Sequence, residues 1–331
     1  MNSGLVYIGK VNAIFPIPDA DRIESLEVVC GAGGKWRGSA VKGQFLIGDL
    51  CEVYLQDSLV PQTERFAFME RRGWRVRMER LRGMPSECLI MPCQFGGSVG
   101  TDITEAAGVT KYEKVMPANI GGDIEGPFPS YIPKTDEPNF QRVPHLVEAL
   151  IGQPYYTTVK ADGSSGTIFW HDNGDGTGSV HGCSRNYELK DLPGTAVWQL
   201  IRRYKLDERL AIFPDLALQF EIVGPGIQGN PLGLKQVDLR LFNVYNKGQH
   251  EYVSLTEMIG IAGFLELPTV QIIEVGEAFP AMTDDDLRKY AERTYPNGRK
   301  AEGIVIRPTE PMRVAGERVS FKVINLLYKE A

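Results

Sequence analysis

Residues 155–170 constrain this chain more than any other stretch. Residues 155–159 are aromatic and β-branched, follow Pro154, and read as a strand. Residues 166–170 read as a second strand. Between them stand Lys160-Ala161-Asp162-Gly163-Ser164-Ser165, so a lysine lies beside a tight Asp-Gly turn. Taken alone, Asp-Gly between two β runs is a hairpin turn with a solvated lysine nearby. The remainder of the chain supplies a second reading.

Short β-like runs also fill the amino-terminal third, at 5–15, 26–30, 36–42, 49–54, 74–81 and 88–91. Each is bounded by Gly, Pro or Asp, a spacing that predicts a small barrel or sandwich. Trp74-Arg75-Val76-Arg77-Met78 alternates between two faces, which would turn Arg75 and Arg77 outward together. Phe66, Phe68 and Trp74 interleave with the arginines. Barrels that bind nucleic acid combine cations for phosphates with aromatic platforms for bases. The plainer alternative is an edge strand whose charges block aggregation. Residues 65–82 hold seven arginines against two glutamates, a local +5 in a chain of net charge −6. Overall acidity runs against a general affinity for nucleic acid, so this cluster is where such affinity would reside.

At 331 residues two domains are expected. No apolar run of about 18 residues occurs, so no membrane span is expected, and the first residues lack the pattern of a signal peptide. Five scattered cysteines without Cys-x-x-Cys indicate neither zinc nor a disulfide framework and fit a reducing cytoplasm. Four scattered histidines argue against a histidine-bound metal or a Ser-His-Asp triad. Residues 117–138 are rich in Pro and Gly and read as a linker or an extended strap.

Helices are predicted at 144–151, with Leu146, Val147, Leu150 and Ile151 inward, and at 192–206, with Val197, Leu200, Ile201 and Tyr204 on one face. Ser254-Leu-Thr-Glu257 is a capping box opening a helix through Phe264. Thr283 caps another helix, which stops at Tyr295-Pro-Asn-Gly298. Asp172 to Gly178 lacks the closing bidentate acid of a calcium loop and reads as a hairpin turn. Gly224, Gly226 and Gly229 have dinucleotide-fingerprint spacing, but Asn230-Pro231 follows and no helix opens there. Glu221, among Phe220, Ile222 and Val223, is costly if buried unpaired; a metal or a ribose would give it a partner, and a half-exposed strand face would spare it one.

Lys160-x-Asp162-Gly163 resembles motif I of the covalent nucleotidyltransferases, which comprise ATP-dependent DNA and RNA ligases and GTP-dependent mRNA capping enzymes. Further blocks follow in that superfamily's order. Ser184-Arg185-Asn186 resembles motif Ia. Residues 218–230, with Glu221, resemble motif III, and residues 239–245, with Phe242, motif IIIa. Residues 301–308, with Glu302, resemble motif IV, and residues 319–325, with Lys322, motif V. Ile14-x-Pro-Ile-Pro-x-Ala-Asp-x-Ile-Glu and Lys42-Gly-x-Phe-x-x-Gly-Asp look like the amino-terminal OB-fold of one RNA-ligase subfamily. With the OB module in front and the chain ending soon after motif V, the whole resembles the RNA ligase 5 subfamily.

The resemblance implies an α+β chain: an antiparallel-sheet nucleotidyltransferase domain of the ligase and capping-enzyme type, preceded by a small β-barrel OB-fold. The implied bounds are 1–118 for the OB domain, 119–138 for a linker and 139–331 for the adenylyltransferase. It implies that Lys160 attacks the α-phosphorus of ATP, and that AMP then passes to a 5′-phosphate and is expelled by a 3′-OH. The implied partner is a nicked RNA or RNA/DNA duplex, and the implied state a cytoplasmic monomer. The implied nucleotide site is Lys160, Asp162, Gly163, Glu221, Phe242 stacking on adenine, Glu302 and Lys322, with Arg142 or Lys134 at the triphosphate. Asp162, Glu221 and Glu302 would hold Mg²⁺ or Mn²⁺ through water. Arg185, Arg75 and Arg77 would meet nucleic acid.

Two positions depart from the pattern. Ile324 stands where a second motif V lysine is usual, leaving Lys329 as a substitute, and Val159 stands where related RNA ligases often carry an acid. Nucleophilic work also requires a neutral Lys160. Lowering its pKa by ~3 units takes roughly 4 kcal/mol of differential interaction, from a metal or from desolvation. The alternatives are a DNA ligase or a GTP-using capping enzyme and, in another class, an RNA-binding protein whose nucleotidyltransferase domain is inert.

Overall fold

A computed structural model describes residues 4–82, 84–112, 122–175 and 177–328. The chain forms two compact units: Met1–Lys114 with Gln141–Pro144, and Val115–Phe140 with His145–Ala331.

The first unit is a closed barrel of β1 (Val6–Pro16), β2 (Ile23–Val29), β3 (Lys35–Val41), β4 (Leu50–Leu55) and β5 (Cys88–Pro92), in the order β1-β2-β3-β5-β4. Closure leaves no long open edge. Val11, Leu26, Val28, Trp36, Val53 and Ile90 fill the interior with Cys30, Cys51 and Cys88. The runs at 5–15, 26–30, 36–42, 49–54 and 88–91 therefore form strands.

The run at 74–81 departs from its expectation. A 3₁₀ helix, Glu64–Arg72, ends at Gly73 in the left-handed region, and Trp74 follows there with φ 61°. Only Glu79–Leu81 is a strand, paired with Met84–Ser86. Alternation is lost, and Arg75 and Arg77 do not share an outer face. Arg75 is buried; its Nε donates to Asp57 Oδ1 at 3.0 Å, and its guanidinium lies 3.8 Å from the Tyr112 ring centroid. Arg77 is exposed. Arg142 also falls in the first unit, where its guanidinium donates to the Gly4 carbonyl and lies over the Tyr7 ring. Those contacts lend no support to the triphosphate role expected of it.

Besides a two-stranded ribbon of Arg313–Val314 and Glu317–Arg318, the second unit contains two main antiparallel sheets. The larger comprises β6 (Ile124–Pro127), β8 (Ser164–Asp172), β9 (Gly178–Ser184), β10 (Tyr187–Leu189), β11 (Leu216–Val223), β12 (Asp238–Asn246) and β13 (Glu251–Tyr252). Its order is β6-β10-β9-β8-β11-β12-β13. The smaller has β7 (Tyr155–Lys160), β14 (Ile272–Gly276), β15 (Gly303–Pro308) and β16 (Phe321–Ile324), in the order β14-β7-β15-β16. The longer helices are α1 (Pro144–Leu150), α2 (Ala196–Arg203), α3 (Leu255–Phe264) and α4 (Asp284–Tyr290), with one short turn of helix at Leu206–Arg209; α3 and α4 open with the expected capping boxes. Period-two alternation sorts the residues of β11. Leu218, Phe220 and Ile222 join Val197, Leu200, Ile201 and Met258 in the main core, so Gln219, Glu221 and Val223 face the other way.

β7 and β8 are consecutive but unpaired. β7 lies between β14 and β15, whereas β8 lies between β9 and β11. Asp162-Gly163 is thus no hairpin turn; it carries the chain from one sheet to the other. The turn after Asp172 is a hairpin, with β8 and β9 paired out to Asp172 and Gly178. The described part of the expected linker, 122–138, is a strap built into the second unit. It supplies edge strand β6 and buries Ile132 against Phe169, Cys183 and Tyr245. Among the described residues no helix is long and apolar enough to cross a membrane.

Candidate active site

Lys160 is the last residue of β7, paired with Gly303 of β15, and Gly303 in turn with Ile324 of β16. Beyond that pair the strands part. Lys160 Nζ donates to Glu302 Oε2 at 2.6 Å, and both side chains are about four-fifths buried. Burial works against the charge on Lys160. Glu302, Glu221, the hydrogen bond to Glu302 and Asp162 outweigh it and push the ammonium well above the ordinary lysine range. Desolvation therefore does not suffice to make a nucleophile here. Three carboxylates thus favour the ammonium form of the lysine, which gives Glu221 its electrostatic partner.

Gly163 is required where the chain changes sheets. A Cβ there would lie 2.3 Å from the Ile222 carbonyl oxygen and 2.7 Å from Glu221 Cγ. The missing side chain lets the crossing lie against β11, which brings Asp162 and Glu221 to the same lysine.

Phe242 owes its position to a bulge. Gln219 pairs with Asn243 but Phe220 with Leu241, so Phe242 is the extra residue in β12. Bulges re-aim side chains, often beside active sites. Leu241 stays in the main core, while Phe242, half-buried, packs against the cluster of Ala161, Val223 and Val270. An apolar wall thereby stands next to the residue that follows Lys160.

The strap closes round these elements from Pro133 to Asn139, and each residue is tied to them in turn, the last two both to Lys322. Gln219 Nε2 donates to the Pro133 carbonyl at 2.7 Å. Lys134 Nζ donates to Asn186 Oδ1 at 2.8 Å, and the Thr135 and Ser165 hydroxyls share a hydrogen bond. Arg185 donates to Asp136. Glu137 accepts from Arg307 Nη2 at 2.8 Å and from the Ser320 hydroxyl at 2.5 Å. Burial raises the Glu137 carboxyl, but Arg307, then Arg318, and these hydrogen bonds overcome it and hold it at about 2. The Lys322 N–H donates to the Pro138 carbonyl at 2.8 Å, and Asn139 forms a bridge to Lys322. Lys322, half-buried in β16, lies in register with Val305, which pairs with Thr158 two residues before Lys160. Ile324 occupies the site of the usual second lysine, and Lys329 lies outside the described residues.

The expected positions that come together around Lys160 are Asp162, Gly163, Glu221 and Glu302, with Phe242 against Ala161. Arg185 is half-exposed at the end of β9, held by the strap. Two tyrosines were not expected. The Tyr295 hydroxyl bonds the backbone at 160, 162 and 302, and the Tyr328 hydroxyl donates to Asp162 Oδ2. Their one signal in sequence is that a buried tyrosine hydroxyl usually needs a partner. Among the described residues no three His, Cys, Asp or Glu side chains converge closely enough to ligate a metal directly. The carboxylates nevertheless exceed the lysine in charge, and oxygen donors suit a hydrated hard cation that keeps its waters.

Two antiparallel sheets sharing one lysine-bearing crossing, in a chain that also builds a closed five-stranded barrel, follow the plan of the ligase-type nucleotidyltransferases. A family model for RNA ligase matches residues 153–324, and one for an OB-fold domain matches residues 5–93. An apo mutant of Naegleria gruberi RNA ligase is 31% identical, with a TM-score of 0.84 covering 98% of this chain and 97% of that one. A Lys-to-Ala mutant of the same ligase, with ATP and Mn, is 31% identical with a TM-score of 0.82, covering 97% of each chain. A Glu-to-Ala mutant with AMP and Mn gives the same identity, TM-score and coverage. No curated protein sequence matches. This chain belongs to the RNA ligase family.

Proposed function

We propose that the protein is an ATP-dependent RNA ligase that joins 5′-phosphate to 3′-OH ends through a Lys160–AMP intermediate. The observation that carries this reading is the buried pair of Lys160 Nζ and Glu302 Oε2, 2.6 Å apart, with Asp162 and Glu221 acting on the same lysine. Lys160, once neutral, attacks the α-phosphorus of ATP; the nitrogen–phosphorus bond forms as the bond to pyrophosphate breaks. AMP then moves to an RNA 5′-phosphate, and the 3′-OH displaces it. Phe242 supplies the stacking wall for adenine. Lys322 offsets charge growing on the α-phosphate, as a preorganised donor does in a phosphoryl transfer site. A hydrated Mg²⁺ or Mn²⁺, held by Asp162, Glu221 and Glu302, supplies positive charge that competes with the ammonium form of Lys160.

Arg185 and Arg77 are the cations assigned to the nucleic acid, which we take to be a nicked duplex with an RNA 3′-OH. The acidic net charge confines that affinity to such local clusters. A cytoplasmic monomer is the assigned setting, in keeping with five free cysteines.

The test is covalent labelling. With Mg²⁺ and ATP radiolabelled at the α-phosphate, the denatured polypeptide should carry label, and Lys160→Ala should carry none. Label from GTP alone would turn the reading towards capping. A folded protein freed of bound AMP that takes no label from either nucleotide would leave an RNA-binding protein with an inert catalytic fold.

A further inference from the structure

We infer that Tyr295 is a positioning residue of this site, setting the separation of the carboxylates that flank Lys160; the inference rests on the catalytic reading above. Three backbone groups meet its hydroxyl. It accepts from the Asp162 N–H at 3.0 Å and the Glu302 N–H at 3.4 Å, and donates to the Lys160 carbonyl at 3.1 Å. The Lys160–Gly303 pair is the last of the β7–β15 ladder. Past it, these groups have left strand pairing in a buried region, where each needs a partner. One oxygen takes over from the ladder where the strands part. A single atom then fixes the origins of the Asp162 and Glu302 side chains, both of which act on the lysine.

Tyr295 is itself held. It is 3% exposed and packs against Val159 and Ala301. Its N–H donates to the Arg299 carbonyl at 2.8 Å, closing the loop 295–299, and the Asn297 side-chain amide donates to the Pro231 carbonyl at 2.9 Å. A phenol is protonated at neutral pH, so the hydroxyl can donate and accept together. The Tyr328 hydroxyl acts on the Asp162 carboxylate itself, so backbone and side chain of that residue are fixed by separate tyrosines. A cation between these carboxylates would bind with an affinity set by their spacing. Groups that orient ligands in this way are worth about 10–100-fold in metal affinity or activity.

The experiment compares wild type with Tyr295→Phe, which keeps the packed ring. Mn²⁺ binding in the presence of AMP is followed by loss of the free-ion EPR signal. The metal dependence of Lys160 labelling is measured beside it. Tyr290→Phe, which removes a hydroxyl bound to Glu274, serves as the control. Tyr295→Phe should bind Mn²⁺ about 10–100-fold more weakly, with the labelling midpoint raised to match and labelling restored at saturating metal. Wild-type Mn²⁺ affinity in Tyr295→Phe would overturn the inference. So would labelling reduced at every metal concentration with an unchanged midpoint, the signature of general destabilisation. Absence of label in the wild type would defeat the functional reading, while the Mn²⁺ comparison would still decide the role of Tyr295.

Discussion

Glu137 carries the strap's deepest contact, and Glu137→Gln tests it. The substitution keeps the shape and removes the charge. Arg307, with 3% of its side chain exposed, and Arg318, with 21%, would share a buried region without their carboxylate. Removing one partner of a buried ion pair costs about 3–5 kcal/mol. A second route gives a similar figure. Burial raises the carboxyl but Arg307 and Arg318 hold it at about 2. A free glutamate titrates at about 4.3, and the difference corresponds to roughly 3 kcal/mol. Because the folded value is depressed, the stabilisation is full above about pH 4.5 and is lost as pH falls towards 2. Urea unfolding, followed by circular dichroism across that range, should find Glu137→Gln less stable by about 3 kcal/mol at pH 7. The gap should narrow below pH 4.5. A difference under ~0.5 kcal/mol, typical of a surface change, or one independent of pH, would refute this account.

Two further substitutions probe the site. Gly163→Ala drives a Cβ to 2.3 Å from the Ile222 carbonyl, and moving that backbone should cost about 1–3 kcal/mol and separate Asp162 from Glu221. Labelling of Lys160 at the wild-type rate in the folded variant would count against the close approach. Phe242→Ala removes the apolar wall and should raise the ATP concentration for half-maximal labelling by about 5–150-fold, the equivalent of ~1–3 kcal/mol of stacking, whereas Phe242→Trp should stay near wild type. An unchanged ATP requirement in Phe242→Ala would move the base elsewhere.

Local pattern made most strands and the central residues legible, and its failures have physical causes. The Asp162-Gly163 turn has hairpin chemistry, yet which strand β7 pairs with is decided by β14 and β15, more than a hundred residues away. Alternation predicts a strand at 74–81, but Gly73 and Trp74 in the left-handed region break it, and Arg75 is buried. Phe242 was visible as an aromatic in a β run; the bulge that turns it from the core is a property of pairing. Tyr295 had only the look of a helix stop, because three backbone groups converging on one hydroxyl leave no periodic trace. Lys160 was expected to need a metal or burial to lose its proton, and the carboxylates around it prove strong enough to outweigh burial.

The strap has an evolutionary consequence. From Pro133 to Asn139 successive residues are tied in turn to fixed neighbours, the last two both to Lys322, so a one-residue insertion would put every residue beyond it out of step. Two of those bonds use main-chain carbonyls, at Pro133 and Pro138, and are indifferent to side-chain identity. Length is therefore the heritable quantity in this segment, and its letters can drift faster than its span. The strap lies before the 153–324 stretch by which the family is recognised, as Tyr328 lies after it. Comparison by residue identity will then tend to draw the catalytic unit's borders too tightly, leaving outside them the parts that hold Lys322 and Asp162 in place.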